Sequence, residues 1–124
     1  MENQESTPCI CGCGDYGVVS CSGACDLGHI SDLVARKLNQ KKVRKMSCLA
    51  QIASGAEEKL DGLKTKNMLV IDGCSDDCGF RIMNNRGLDS FVHLRLTDLG
   101  YEKGKTPVTA ETIKTIYDKA EILY

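Results

Sequence analysis

The stretch Asn67-Met-Leu-Val-Ile-Asp72, followed at once by Gly73-Cys-Ser-Asp-Asp-Cys78, decides the fold of this chain. Its first half is apolar nearly throughout, as strands of parallel sheets are when helices cover both of their faces. Its second half is a polar turn that leads into a predicted helix ending near Asn85. A buried strand that gives way to a helix in this manner predicts β-α-β units and a mainly parallel sheet.

The segments on either side continue this alternation. Three further strands are predicted, over Tyr16–Ser20, Lys42–Leu49 and Phe91–Leu96. Helices are predicted over residues 25–40, within residues 50–66 and, capped by Thr109, after Pro107. The chain is therefore expected to form a three-layer α/β sandwich with about four strands in the order 2-1-3-4, doubly wound in the flavodoxin or Rossmann manner. In that order a crevice opens between the first and third strands, where their connections leave in opposite directions.

Composition limits the function classes. The chain has 124 residues and 16 basic against 17 acidic side chains, and this balance argues against a nucleic-acid partner. No apolar run approaches the roughly 20 residues that span a bilayer, so a membrane partner is not expected. The first residues are polar and acidic, unlike a signal peptide, which favours the cytoplasm. We expect residues 1–15 to be a flexible cysteine-rich leader and residues 16–124 a single domain.

Five of the eight cysteines follow predicted strands. Cys21 and Cys25 frame the turn after the first strand, Cys74 and Cys78 frame the turn after the third, and Cys48 ends the second. Carboxyl ends of parallel strands share one edge of the sheet, and neighbouring strands are only about 4.8 Å apart. In a reducing compartment, clustered thiols bind metal or do redox chemistry more often than they form disulfides.

A four-thiolate zinc site is the leading interpretation. Zinc takes tetrahedral thiolate ligands at about 2.3 Å, and loops from three neighbouring strands can bring them together. The ligand set that the strand ends select is Cys21, Cys48, Cys74 and Cys78, with Cys25 as a candidate additional ligand. Four bound thiolates would close the site and give it a structural, storage or sensing role, so an enzymatic activity is left open.

Other uses of the same cysteines remain open at this point. A helix N-terminus lowers a cysteine pKa, so Cys25 or Cys78 could be the nucleophile of a thiol redox or sulfur-transfer enzyme. Four thiolates would also suit an iron–sulfur cluster. Some of these cysteines could instead be packed as small apolar residues. In the leader, Cys9, Cys11 and Cys13 could form a second metal site, a redox switch or a tail of reactive thiols.

Polar residues near these turns have simpler interpretations. His29 is a second-tier ligand candidate, and His93 reads as a hydrogen-bonded histidine within the fourth strand. Asp76 and Asp77 are explained as caps of the helix that follows them, whereas Asp72 could serve in acid–base chemistry. The protein partner, if there is one, is unknown from the sequence.

Four ordered motifs together resemble one known family. They are Ser20-Cys-Ser-Gly-Ala24, Lys45-Met-Ser-Cys-Leu-Ala50, Ile71-Asp-Gly-Cys74 with Cys78, and Leu96-Thr-Asp-Leu-Gly100. This pattern is similar to the DGC-domain family, small zinc-binding proteins named for the tripeptide Asp72-Gly73-Cys74. The resemblance implies zinc as the cofactor and Cys21, Cys48, Cys74 and Cys78 as its ligands. Cys25 stands where the family is expected to have serine, and the leader lies outside the match.

Overall fold

The computed structural model describes residues 15–55 and 57–123. Within them the sheet has four parallel strands: β1 (Tyr16–Ser20), β2 (Lys45–Met46), β3 (Asn67–Asp72) and β4 (Phe91–Arg95). Their order is β2-β1-β3-β4. The predicted α/β class and strand order are therefore confirmed. The leader cysteines Cys9, Cys11 and Cys13 lie outside the described residues.

Helices cover both faces of the sheet. They are α1 (Asp26–Gln40), α2 (Leu49–Ala53), α3 (Glu57–Leu63), α4 (Cys78–Asn85) and α5 (Ala110–Ala120), with a 3₁₀ turn at Leu96–Leu99. On one face, β1, β3 and β4 pack against α1 and α5 around Val34, Leu69 and Ile116. On the other, β1 and β3 pack against α2, α3 and α4 around Ile52, Val70 and Met83.

The central strand β3 explains why its sequence is apolar throughout. Leu69 and Ile71 belong to the cluster beneath α1 and α5, whereas Met68 and Val70 belong to the cluster beneath α2, α3 and α4. All four side chains are buried at 2% exposure or less. Because successive side chains of a strand point to opposite faces, a strand with covered faces has no position for a solvated residue.

Two predicted elements are shorter than expected. The second strand covers Lys45–Met46 and not Lys42–Leu49, because the backbone N–H groups of Val43 and Arg44 donate to Leu38 O and so complete the end of α1. The helix predicted within residues 50–66 is divided into α2 and α3. Gly55, with φ +82°, follows α2 in the left-handed conformation that ends many helices.

No helix in the described part of the chain is long and apolar enough to cross a bilayer.

Candidate metal centre

The cysteines after β1 and β3 lie at the same edge of the sheet because the register of these strands places them there. Ser20 is opposite Ile71, and the backbone N–H of Cys21 donates to Ile71 O at 2.9 Å. Cys21 therefore lies one residue beyond the last paired position of β1. On β3, Asp72 ends the strand, and Cys74 lies in the turn that leads to α4.

The side chains of Cys21 and Cys78, which come from different loops, lie near each other across the crevice between β1 and β3, close enough for the Cys21 sulfur to affect the ionisation of Cys78. Cys78 is exposed, but neighbouring atoms desolvate its thiol enough to raise its pKa, and the negative charge of Cys21, Asp72 and Asp76 raises this pKa further. These surroundings disfavour an isolated thiolate at Cys78, whereas a bound cation would favour one.

Cys25 and Cys74 lie at the same edge, on the face of the sheet that α1 and α5 cover. Both are half-buried and pack against the apolar cluster beneath α1 and α5. The Cys25 sulfur accepts from the backbone N–H of Gly28 at 3.4 Å and so caps α1. The Cys74 thiol points to Asp76, with its sulfur 3.5 Å from Oδ2.

Cys48 is the N-cap residue of the five-residue helix α2 and is exposed. Its side chain lines a cavity beside Ser20 and Ser22, on the β2 side of β1. Two of the predicted ligands, Cys21 and Cys78, are thus near each other. Among residues 15–55 and 57–123, no three cysteine sulfurs lie within 4.8 Å of one another.

A different group of metal-ligating residues is compact in this structure. Ligand atoms of Asp72, Asp77 and His93 all lie within 4.8 Å of one another, a separation that one metal ion could bridge. His93 Nε2 is 2.8 Å from Asp72 Oδ2 and 3.9 Å from Asp77 Oδ1. The ring of His93 also packs against those of Phe80 and Phe91, with centroid distances of 5.2 and 6.3 Å.

The two carboxylates of this group already have strong partners. Asp72 is 1% exposed and accepts the backbone N–H groups of Gly79 and Phe80 at 2.7 and 3.0 Å, in addition to its contact with His93. Arg95 donates to both oxygens of Asp77, at 2.8 and 2.6 Å, and this hydrogen bonding lowers the pKa of Asp77. A cation at this group would have to compete with Arg95 for the Asp77 carboxylate.

The cap of α4 differs from the sequence interpretation. Asp77 occupies the N-cap position, but its backbone is left-handed, with φ 52°, and its side chain makes no cap hydrogen bond. Asp72 accepts those N–H groups from the end of β3, as described above. Asp76 is exposed and receives the Cys74 thiol. The interpretation of Asp76 and Asp77 as side-chain caps is therefore wrong, because the turn directs Asp77 toward Arg95.

Sequence reasoning did not find the contact between Asp72 and His93. It depends on the β3–β4 register, which pairs Val70 with His93 and so places Asp72 diagonally beside the histidine. A buried aspartate at the end of an apolar strand was the available signal, since a buried carboxylate requires hydrogen-bond donors. His29 is exposed on α1.

A family model for the DGC domain matches residues 17–120. The chain belongs to the DGC-domain family. The match runs from the second residue of β1 to the end of α5, with all five cysteines at the sheet edge, and it confirms the resemblance found in the sequence motifs. No curated protein and no solved structure shows significant similarity to the chain.

Each residue of the tripeptide that gives the DGC domain its name has a separate task in this structure. Asp72 caps α4 and holds His93. Gly73 lies against α1, where an added Cβ would be 2.8 Å from the Leu27 backbone carbon. Cys74 is then the first residue of the turn with a free thiol. The tripeptide therefore joins a helix cap, a close helix–strand contact and a free thiol within three residues.

Proposed function

We propose that this DGC domain is a zinc-binding protein that holds one Zn²⁺ through the thiolates of Cys21, Cys48, Cys74 and Cys78. The observation that carries the proposal is the register of β1 and β3, which brings the loops that hold Cys21, Cys74 and Cys78 to one edge of the sheet. There the Cys21 side chain is close enough to raise the pKa of Cys78. Cys48 and Cys74 leave the neighbouring strand ends at the same edge, within loops that would have to close by side-chain or local backbone movement.

The electrostatics of the edge support a cation there. Asp72 and Asp76 both raise the pKa of Cys78 by their negative charge, and further thiolates would add to that repulsion. A divalent cation reverses this effect and favours the deprotonated sulfurs that it binds. The thiols, as soft ligands, are better suited to zinc than to magnesium or calcium.

The proposed site is closed by four protein ligands, so the role we infer is structural, storage or sensing and not catalytic. When bound, the ion would tie together the loops after β1, β2 and β3 and the start of α4. The chain itself supplies the framework. Asp72 fixes α4, and with it Cys78, against the end of β3.

A thiol redox or sulfur-transfer enzyme is the alternative, and an iron–sulfur cluster is a further one. The redox alternative needs an activated thiol at Cys25 or Cys78. Cys25 serves as the cap of α1, and the pKa of Cys78 is raised, which is opposite to the activation that a nucleophile requires. The surroundings of these two sulfurs therefore do not favour a nucleophilic role for either.

Metal content of the full chain tests the proposal. We expect about one zinc per chain after anaerobic purification without added metal, and loss of zinc in the Cys21→Ser and Cys74→Ser variants. Cys25→Ser is the matched control, because serine keeps the helix cap and we expect it to keep the zinc. A folded, metal-free protein would refute the proposal. Iron with matching sulfide would indicate a cluster, and zinc lost on His93→Ala but kept in the cysteine variants would indicate the Asp72–Asp77–His93 group.

A further inference from the structure

A cavity of about 620 Å³ opens beside the cysteine edge, between α1 and the segment that leads from β2 into α2. Its volume is in the range of about 300–1,000 Å³ that is usual for small-molecule sites. It lies beyond the carboxyl ends of β1 and β2, the edge at which open α/β sheets bind their ligands. The volume and position both suit an organic ligand larger than a metal ion.

One wall of the cavity is a connected row of polar side chains. The Ser22 hydroxyl donates to Asp32 Oδ1 at 2.7 Å, and Arg36 Nε donates to Asp32 Oδ2 at 2.7 Å. Ser20 Oγ lies 3.0 Å from Ser22 Oγ. Because the only hydroxyl proton of Ser22 is used by Asp32, Ser20 must be the donor in that contact. Both oxygens of Asp32 are therefore occupied and its charge is paired.

The charged group left for a ligand is the guanidinium of Arg36, and the Ser47 hydroxyl also lines the cavity. The Arg36 side chain is 61% exposed, its Nε is used by Asp32, and within the described residues its two Nη groups donate no hydrogen bond. Ser20 Oγ, as the donor to Ser22, keeps its lone pairs for a ligand donor. The facing wall is mainly apolar and consists of Met46, Leu49, Ala50 and Ile82, together with Ser47 and Cys48.

We propose that this cavity binds a small monocarboxylic acid with an apolar body. The carboxylate would pair with the Nη groups of Arg36, since a guanidinium matches a planar carboxylate, and the body would pack against the apolar wall. Among the described lining residues Arg36 is the one cation, and paired Asp32 lies beside it. One guanidinium next to a carboxylate favours a monoanion over a phosphate dianion. The residues to which we assign the ligand, Arg36 and the apolar wall, are not proposed zinc ligands, although Cys48 also lines the cavity.

Titration calorimetry on the full chain with hexanoate tests this inference. We expect saturable binding of hexanoate, with weaker binding of acetate, which lacks the apolar body, and of hexan-1-ol, which lacks the charge. Arg36→Met should weaken hexanoate binding by about tenfold or more, because it removes a charge-assisted pair and leaves Asp32 unneutralised. Lys41→Met is the matched control, since Lys41 is an exposed cation of the same helix region outside the cavity lining, and it should bind hexanoate normally.

A second variant locates the binding independently of charge. Ala50 is exposed on the apolar wall, so Ala50→Phe should fill the cavity and weaken hexanoate without unfolding the chain. Hexanoate that does not bind, or that binds equally well to the Arg36→Met and Ala50→Phe variants, would overturn the inference. Tighter binding of inorganic phosphate than of hexanoate would also overturn it and would assign the site to phosphate.

Discussion

Asp72 shows how one buried side chain can organise a functional edge. Its oxygens accept two backbone N–H groups of α4 and contact His93 of β4, so it connects three elements. The residue at the N-cap position, Asp77, is released from capping and pairs with Arg95. Cys78, the first residue of α4, is thereby held at a fixed position opposite Cys21.

Replacing Asp72 by asparagine tests this organisation. We expect Asp72→Asn to lower the free energy of unfolding by about 1–3 kcal/mol, because the amide leaves a buried N–H group without an acceptor. Urea denaturation monitored by circular dichroism measures the change. Asp76→Asn is the control, since Asp76 is 70% exposed and should have little effect. Equal stability of the two variants would contradict the capping role of Asp72.

Arg44 is the corresponding residue at the opposite edge of the sheet. It is 1% exposed, and its guanidinium donates to the backbone carbonyls of Gly17, Asn67 and Leu123. These bonds join β1, the start of β3 and the end of the chain. A buried arginine at this position was not indicated by the sequence pattern, in which residues 42–49 read as a strand.

Arg44→Met keeps much of the side-chain volume but removes every donor. We expect a loss of about 3 kcal/mol or more in the free energy of unfolding, since several buried carbonyls would lose their partners together. Thermal and urea denaturation should agree on this loss. Arg81→Met, on the exposed face of α4, is the matched control and should stay near the wild-type stability. A small effect of Arg44→Met would show that water replaces its bonds.

At the scale of elements, the contact between α1 and the end of β3 has no spare room. An added Cβ at Gly73 would be 2.8 Å from both the backbone carbon and the Cβ of Leu27. The first of these is backbone of α1, so the clash can be relieved only by moving the helix away from the sheet. The glycine of the family tripeptide is therefore explained by helix–strand packing.

Gly73→Ala should destabilise the fold by about 1–3 kcal/mol, as expected for overpacking at a rigid contact. Gly62→Ala is the control, because a Cβ at Gly62 in α3 would meet nothing within 4 Å. Alanine has the higher helix propensity, so Gly62→Ala should be neutral or stabilise by up to about 1 kcal/mol. Chemical denaturation gives the free energy of unfolding of both variants. A Gly73→Ala variant as stable as the wild type would mean that α1 can move away from the sheet at no cost.

For the whole molecule, hydrophobic patterns predict the elements whose residues are buried on defined faces. The predicted bounds of four elements agree to within one or two residues with most of the observed ones: these elements are β1, α1, β3 and α5. The strand order follows from the alternation of strands and helices. β2 was predicted too long because the ends of α1 and α2 take up its flanking residues. Those backbone hydrogen bonds do not depend on side-chain type, so the hydrophobic pattern of the sequence cannot predict them.

The candidate site divides in the same way. Strand ends predict which cysteines share an edge, since chain direction alone determines it. Contacts between loops depend on register and turn geometry, so the proximity of Cys21 to Cys78 and the pairing of Asp72 with His93 required the structure. The cavity wall formed by Ser22, Asp32 and Arg36 joins a turn to a helix ten or more residues away and was likewise not predicted.

Zinc K-edge X-ray absorption of the anaerobically purified chain tests the central claim most directly. The four-thiolate site predicts a first shell of four sulfur atoms at about 2.3 Å from the zinc. A shell of nitrogen and oxygen atoms at about 2.0–2.2 Å would contradict it and would assign the metal to the Asp72–Asp77–His93 group.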